Sequence, residues 1–197
     1  KVFVFKLLYG GSAYGFSKQH DFAHISTNIK VWEKLIETFY TKYKGVYNWH
    51  KDLVRTVVDT GRLVMPTGRE FVFPIKEVLD KMYLWRPKIL NYPVQGTGAD
   101  LVCIGRVTAA TRLKRLWCPA LWISTVHDSV DLDVPNELDN SGIPWYNIVC
   151  KVIHESISDI PTNFYNLFGV KFDLPLQATI SYGPTLGDLK TWVPSQS

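Results

Sequence analysis

Two apolar runs joined by only two residues constrain this chain more than any other feature. Leu121-Trp122-Ile123-Ser124-Thr125-Val126 is rich in β-branched and aromatic side chains, and Val130, Leu132 and Val134 then alternate with Ser129, Asp131 and Asp133. Only His127-Asp128 lies between the runs. So short a link joins antiparallel strands; parallel ones need a crossover of roughly a dozen residues. The segment is therefore a β-hairpin with His127 and Asp128 at its tip. A carboxylate held on a tight turn projects rigidly from the sheet, which suits a hard cation such as Mg²⁺. Asp is also an ordinary turn residue. His127 is a poor turn former, so the dipeptide stays open between a site and simple turn chemistry.

Helical patterns surround this hairpin. Lys1, Phe5 and Tyr9 recur every four residues and share one helix face, with Gly10-Gly11 as the stop. Residues 17–44 read as helical through Trp32, Leu35, Ile36 and Phe39, with Ser17 as cap and Gly45 as end. Residues 46–60 give a further helix ended by Gly61, and residues 61–74 read as a β-hairpin, or a loop with hairpin character, around Pro66-Thr67-Gly68. Residues 75–92 look irregular because prolines punctuate them, and a helix is predicted from about Gln95 to Leu116. Residues 142–158 form an amphipathic helix, and a last strand is predicted near Leu176–Ser181. The pattern is α+β: helices first, then a small antiparallel sheet backed by helices.

Composition narrows the class. With 197 residues, 46% hydrophobic and 14% aromatic, the chain can build a core and is not disordered. Three cysteines, Cys103, Cys118 and Cys150, form no C-x-x-C pair, which argues against a disulfide framework and for a reducing, cytoplasmic setting. No apolar run approaches the roughly 20 residues of a membrane span, and no signal peptide opens the chain, so no membrane partner is expected. The net charge of +4 permits a polyanionic partner without demanding one. An opening on Lys1 inside a helix points to a segment upstream.

Three stretches can carry chemistry. On the first helix, the Lys1 ammonium could pair with phosphate while Phe5 and Tyr9 stack on sugar and base; the alternative is an amphipathic helix whose rings face the core. In Asn91-Tyr92-Pro93-Val94-Gln95-Gly96-Thr97-Gly98-Ala99-Asp100, an extended stretch leads into a helix, and the Asn91 and Gln95 amides can donate to minor-groove acceptors or serve as caps and turns. The third is Val126-His127-Asp128-Ser129. Arg106, Arg112, Lys114 and Arg115 could track a phosphate backbone or form a solvated helix face. His20 and His24 lack a third zinc ligand nearby. Asp131 and Asp133 share a strand face as candidates for secondary metal contacts or plain solvent positions.

In order and spacing, these stretches resemble the C-terminal part of the family A, DNA polymerase I-like enzymes, and look closest to bacteriophage members. Lys1 to Gly15 resembles the fingers helix called motif B and its exit. Phe39 to Val46 resembles "F-x-x-x-Y-P-G-V", and Gly61 to Arg69 the fingers hairpin. Asn91 to Asp100 matches "N-x-P-x-Q-G-T-x-A-D", Val126-His127-Asp128 matches motif C, and Gly183 to Leu189 resembles a variant of the "G-x-x-W" ending. The resemblance implies a helical fingers subdomain over 1–85 and half of a palm over 86–197. It implies template-directed DNA synthesis, in replication or repair, from dNTPs on a DNA primer-template. Lys1 would hold the dNTP phosphates and act in catalysis. Phe5 would lie against the sugar, implying poor acceptance of dideoxynucleotides. Tyr9 would stack near the nascent base pair and Tyr14 near the template. Asn91 and Gln95 would read the minor groove, His127 would sit by the primer terminus, and Asp128 would bind the catalytic metal.

Departures sharpen these expectations. Ser129 stands where the family often has Glu. The family's motif A Asp and the motif B Arg four residues before Lys1 have no counterpart, nor do a thumb or an exonuclease. Two-metal phosphoryl transfer needs ions about 4 Å apart clamping the attacking and leaving oxygens. One carboxylate is a poor holder for both, so a second ligand for the two Mg²⁺ ions is expected from another polypeptide or an upstream segment. Alone, the chain is expected to be inactive. The alternative is a non-catalytic primer-template binding or assembly subunit derived from a polymerase.

Overall fold

The computed structural model describes residues 2–194. The chain divides into two compact units, Lys1–Thr97 and Gly98–Ser197. The architecture is α+β: among the described residues helices dominate, and the strands form three two-stranded antiparallel sheets.

The first unit begins with α1 (Val2–Leu8) and α2 (Ala13–Lys18). Gly10 has φ +85°, the left-handed conformation that glycine enters without penalty. Its N–H bonds the Leu7 carbonyl and that of Gly11 bonds the Lys6 carbonyl, closing α1 with a Schellman motif. The predicted single helix over 17–44 is instead broken. Ser17 does not cap it; its hydroxyl donates to the Tyr14 carbonyl inside α2. The caps are Ser12, which accepts from the Gly15 N–H, and Asn28, which accepts from the Lys30 N–H at the start of α3 (Ile29–Lys42). Gly45 ends nothing: α4 (Lys44–Thr60) starts before it and stops at Gly61, whose φ is +70°.

Phe3, Leu7, Phe16, Phe22 and Trp32 build the core beneath α1, with Phe16 stacked on Trp32 at 5.3 Å. The expected hairpin is β1 (Arg62–Val64) paired with β2 (Glu70–Val72). Residues 75–92 are not irregular. They form α5 (Ile75–Asp80) and the start of α6 (Met82–Arg115), which carries both Pro87 and Pro93 inside it. Each proline deprives α6 of one backbone bond. Ile89 and Leu90, both fully buried, hold the helix together through that stretch. Tertiary burial here outweighs the local cost, since each large apolar side chain fully buried contributes roughly 1.5–3 kcal/mol.

In the second unit, β3 (Leu121–Val126) and β4 (Ser129–Asp133) form the predicted hairpin. Leu132 and Val134 pack against Ala109 and Leu113 of α6 and Val149 and Val152 of α7 (Trp145–Ser158), so helices back one face of the sheet. A helix that the sequence reading did not single out, α8 (Ile160–Phe168), brings Ile160 and Phe164 against Ile104. Gly105 leaves room for both helices: a β-carbon there would lie 2.6 Å from Ile157 Cδ1 of α7 and 3.1 Å from Ile160 Cδ1 of α8. The last sheet is a hairpin, β5 (Ser181–Thr185) and β6 (Asp188–Thr191), and not a strand near 176–181. It packs on α7 through the stacked Tyr146 and Tyr182 rings, 4.7 Å apart, and through Trp192, whose indole N–H donates to Asn147. Among the described residues, no helix is long and apolar enough to cross a membrane.

Candidate functional site

The first unit separates the two faces of α1. Phe3 and Leu7 go into the core. Phe5 and Tyr9, one turn apart on another face, do not: Phe5 is 47% exposed and Tyr9 half-buried. Of the two readings the sequence leaves open for this helix, core-facing rings apply to Phe3 and not to Phe5. Lys1 lies outside the described residues. Tyr14, on α2, is 64% exposed, with the Lys18 ammonium 5.9 Å from its ring.

Helix α6 brings the amides to the same place. Gln95 Nε2 approaches the Tyr9 hydroxyl at 3.5 Å, a weak polar contact across 86 positions of sequence. Asn91 sits one turn earlier on that side of α6. Its Oδ1 is buried without a hydrogen-bond partner. The adjoining side of α6 is covered by the β1–β2 hairpin: a β-carbon on Gly96 would meet the Phe71 ring at 2.7 Å, and Tyr92 stacks on Phe73. The segment that the sequence suggested was extended is helical from Asn91 to Asp100. That geometry keeps Asn91 and Gln95 in register. The end of α1 lies against α6, because a β-carbon on Gly10 would come within 2.8 Å of Pro87 Cα.

Beneath α1 lies a group the sequence reading missed. His50, on α4, is 1% exposed. Its Nδ1 sits 3.0 Å from the Tyr40 hydroxyl, and its Nε2 is buried with no hydrogen-bond partner. Burial, and then the Arg86 guanidinium, hold its pKa down to about 4. Burial also raises the pKa of Tyr40. The available sequence cue was a His on the apolar stripe of an amphipathic helix, a cue that ordinary core histidines share.

In the second unit, the predicted tip is present. The His127-Asp128 link closes the Val126–Ser129 pair, and the Ser129 hydroxyl donates to the Val126 carbonyl at 2.9 Å. His127 has φ +55° and Asp128 does not share the positive sign. Positive φ at the first central residue alone is the type II′ pattern, which normally takes glycine there. His127 therefore holds a strained backbone, of the kind that clusters at functional sites. Asp128 is exposed and, among the described residues, has no hydrogen-bond or ion-pair partner. One open carboxylate on a rigid turn is a suitable donor for Mg²⁺. Among the described residues no three His, Cys, Asp or Glu gather to complete such a site. Asp131 is engaged otherwise, accepting the Ser124 hydroxyl at 2.5 Å, and Asp133 is exposed.

Other candidates resolve structurally. Arg112 pairs with Asp159 at 2.6 Å and reaches the buried Ser156 hydroxyl, tying α6 to the α7–α8 corner rather than tracking phosphate. Lys114 and Arg115 remain exposed. His20 and His24 are exposed and belong to no metal cluster among the described residues. Burial raises the Cys118 thiol pKa and pushes that of Cys150 up to about 11, so both stay protonated at neutral pH.

Comparison with known proteins gives the family and the fold. The family model described as DNA polymerase family A covers residues 1–188. The DNA polymerase of Bacillus phage SP01 is 25% identical over 192 residues, which is 95% of this chain and 20% of the phage protein. DNA polymerase I of Geobacillus stearothermophilus is 22% identical over 96% of this chain and 20% of its own length. The chain thus spans about a fifth of these relatives. A solved structure, the POL domain of Pol1 from M. smegmatis in complex with DNA primer-template and dNTP, shares the fold: TM-score 0.70 at 19% identity, over 89% of this chain and 28% of that one.

Proposed function

Because the chain belongs to DNA polymerase family A, we propose that it supplies the fingers and C-terminal palm parts of a template-directed DNA polymerase. In the reaction, the primer 3′-oxygen forms a bond to the dNTP α-phosphorus, the bond to the β-phosphate oxygen breaks, and pyrophosphate leaves. The contact between Gln95 and Tyr9 carries this reading, because it sets amide donors for a duplex beside an aromatic face for a nucleotide.

Each residue has a part in that chemistry. Lys1 holds the triphosphate as a point charge. Phe5 lies against the sugar, Tyr9 against the nascent base pair, and Tyr14 near the template. Asn91 and Gln95 donate to the acceptors that every base pair shows in the minor groove, so they sense duplex shape rather than sequence. His127 stands by the primer terminus. The Asp128 carboxylate holds Mg²⁺, which when bound neutralises phosphate charge and lowers the pKa of the attacking hydroxyl. The second acid comes from a segment or polypeptide that also carries motif A.

Primer extension tests this. The chain joined to a polypeptide bearing the motif A acid is expected to extend a primer with dNTPs and Mg²⁺, and the chain alone is not. Duplex binding by the joined assembly without any extension would establish the binding-subunit alternative instead.

A further inference from the structure

We propose that the corner where α3 runs into α4 is a binding surface for single-stranded nucleic acid, with Tyr43 and Tyr47 as stacking platforms and Lys42, Lys44 and Lys51 as phosphate contacts. Within the polymerase reading above, on which this last step rests, the strand is template that has not yet been copied.

The rings form a connected series. Tyr43 is the N-terminal cap residue of α4, and Tyr47 follows one turn later, about 5.4 Å along the axis. Both are open to solvent, Tyr43 at 46% and Tyr47 at 43% exposure. Their inner sides are held. The Tyr43 ring lies 4.8 Å from that of Phe39, and the Tyr47 ring meets Tyr40 edge-on at 5.4 Å. Phe39 and Tyr40 are half-buried on α3, and the Tyr40 hydroxyl sits 3.0 Å from His50 Nδ1. Rings braced from below and open above lose little freedom when a flat partner lands on them, so more of the stacking energy appears as affinity.

Charge complementarity points to a polyanion. The Lys42 ammonium lies 5.5 Å from the centre of the Tyr43 ring, and the Lys51 ammonium 5.5 Å from that of Tyr47. Each exposed ring thus has its own cation, which supplies the two contacts one nucleotide needs: a face for the base and a charge for the phosphate. Lys44 adds a third cation in the first turn of α4, which holds no acid. Of the acids nearest in sequence, Asp52 is paired with Arg55 at 2.9 Å, and Glu37 stands on α3 more than a turn before Lys42. A single strand fits better than a duplex, whose bases are already stacked on one another. It also fits better than an acidic peptide, which brings no flat partner for two tyrosines.

Fluorescence anisotropy of the full chain tests the surface. The probes are a labelled oligothymidylate of about 20 nucleotides, longer than one binding site, an abasic strand of the same length, and a blunt duplex. Tyr43→Leu combined with Tyr47→Leu is expected to weaken oligothymidylate binding about 100-fold, about 10-fold for each stacked base. Its affinity for the abasic strand and for the duplex is expected to stay within about 2-fold of wild type. Tyr43→Trp combined with Tyr47→Trp is expected to bind oligothymidylate at least as tightly as wild type, and it carries the test if the leucine pair fails to fold. Lys51→Gln is expected to make the slope of log K against log salt shallower by about 0.7, the value for one single-strand phosphate contact. No binding of oligothymidylate by the wild type, an unchanged affinity in the leucine pair, or an equal loss on the abasic strand or the duplex overturns the proposal. So does a loss in the tryptophan pair as large as in the leucine pair. In the joined polymerase, the leucine pair is expected to raise the KM for a primer-template with a long overhang and to spare one with a single-nucleotide overhang. An equal effect on both overturns the template assignment. If the joined polymerase never extends a primer, the polymerase reading fails, and oligothymidylate binding by the chain still decides the surface.

Discussion

Gly10 and Pro87 meet with no room for a side chain: a β-carbon on residue 10 would lie 2.8 Å from the Pro87 Cα. Gly10 also holds φ +85°. This contact seats the end of the aromatic-bearing α1 against the amide-bearing α6. Gly10→Ala is therefore expected to cost about 1–3 kcal/mol, from backbone strain plus the clash. Thermal unfolding measures the loss, and a weakened response to dNTP is expected with it.

Acid should destabilise the first unit in a defined window. The folded state holds His50 at about 4, against an ordinary value of about 6.5. Between these values the unfolded chain binds a proton that the folded chain refuses, so stability falls as pH drops from about 6.5 to 4. The loss is about 3 kcal/mol. Chemical denaturation across that range measures it. His50→Leu should flatten the slope by about one proton.

Arg112 is a structural residue on this account, despite sitting in a basic cluster. Arg112→Ala removes the pair with Asp159 and the contact to Ser156, whose side chain is fully buried. The expected cost is about 1 kcal/mol, discounted because both ion-pair partners are part exposed. A lower melting temperature with unchanged salt dependence of DNA binding is the expected outcome. A reduced salt slope would instead make Arg112 a phosphate contact.

Gln95→Ala should weaken primer-template binding by the joined polymerase about 3- to 10-fold, the range for one neutral hydrogen bond. The loss should be the same whichever base pair ends the primer, because minor-groove acceptors are common to all four. Fluorescence anisotropy with four duplexes measures it.

Much of this was legible before any coordinates. The two residues between the runs of β3 and β4 left only one way to connect them, and that placed Asp128 at a tip. Phe5 and Tyr9 share a face by spacing alone. Their direction was not legible, since Phe3 and Leu7 follow the same period and took the core. The path of α6 was hidden because Pro87 and Pro93 read locally as breakers, while the burial that overrides them involves residues distant in sequence, such as Val57 and Phe73. The break between α2 and α3 was hidden because Ser12 and Asn28 cap helices where the apolar spacing ran on. His50 was illegible for a similar reason: its surroundings depend on Tyr40 and Arg86, which two other helices bring to it.

The central claim is that the acid at the tip of the β3–β4 hairpin serves the chemistry and not merely the turn. Single-nucleotide incorporation by the joined polymerase, comparing wild type with Asp128→Ala in Mg²⁺, tests it most directly. A fall in rate of at least about 100-fold is expected, since a bound metal contributes several kcal/mol to such a transition state, with duplex affinity within about 2-fold of wild type. An unchanged incorporation rate in Asp128→Ala would contradict it.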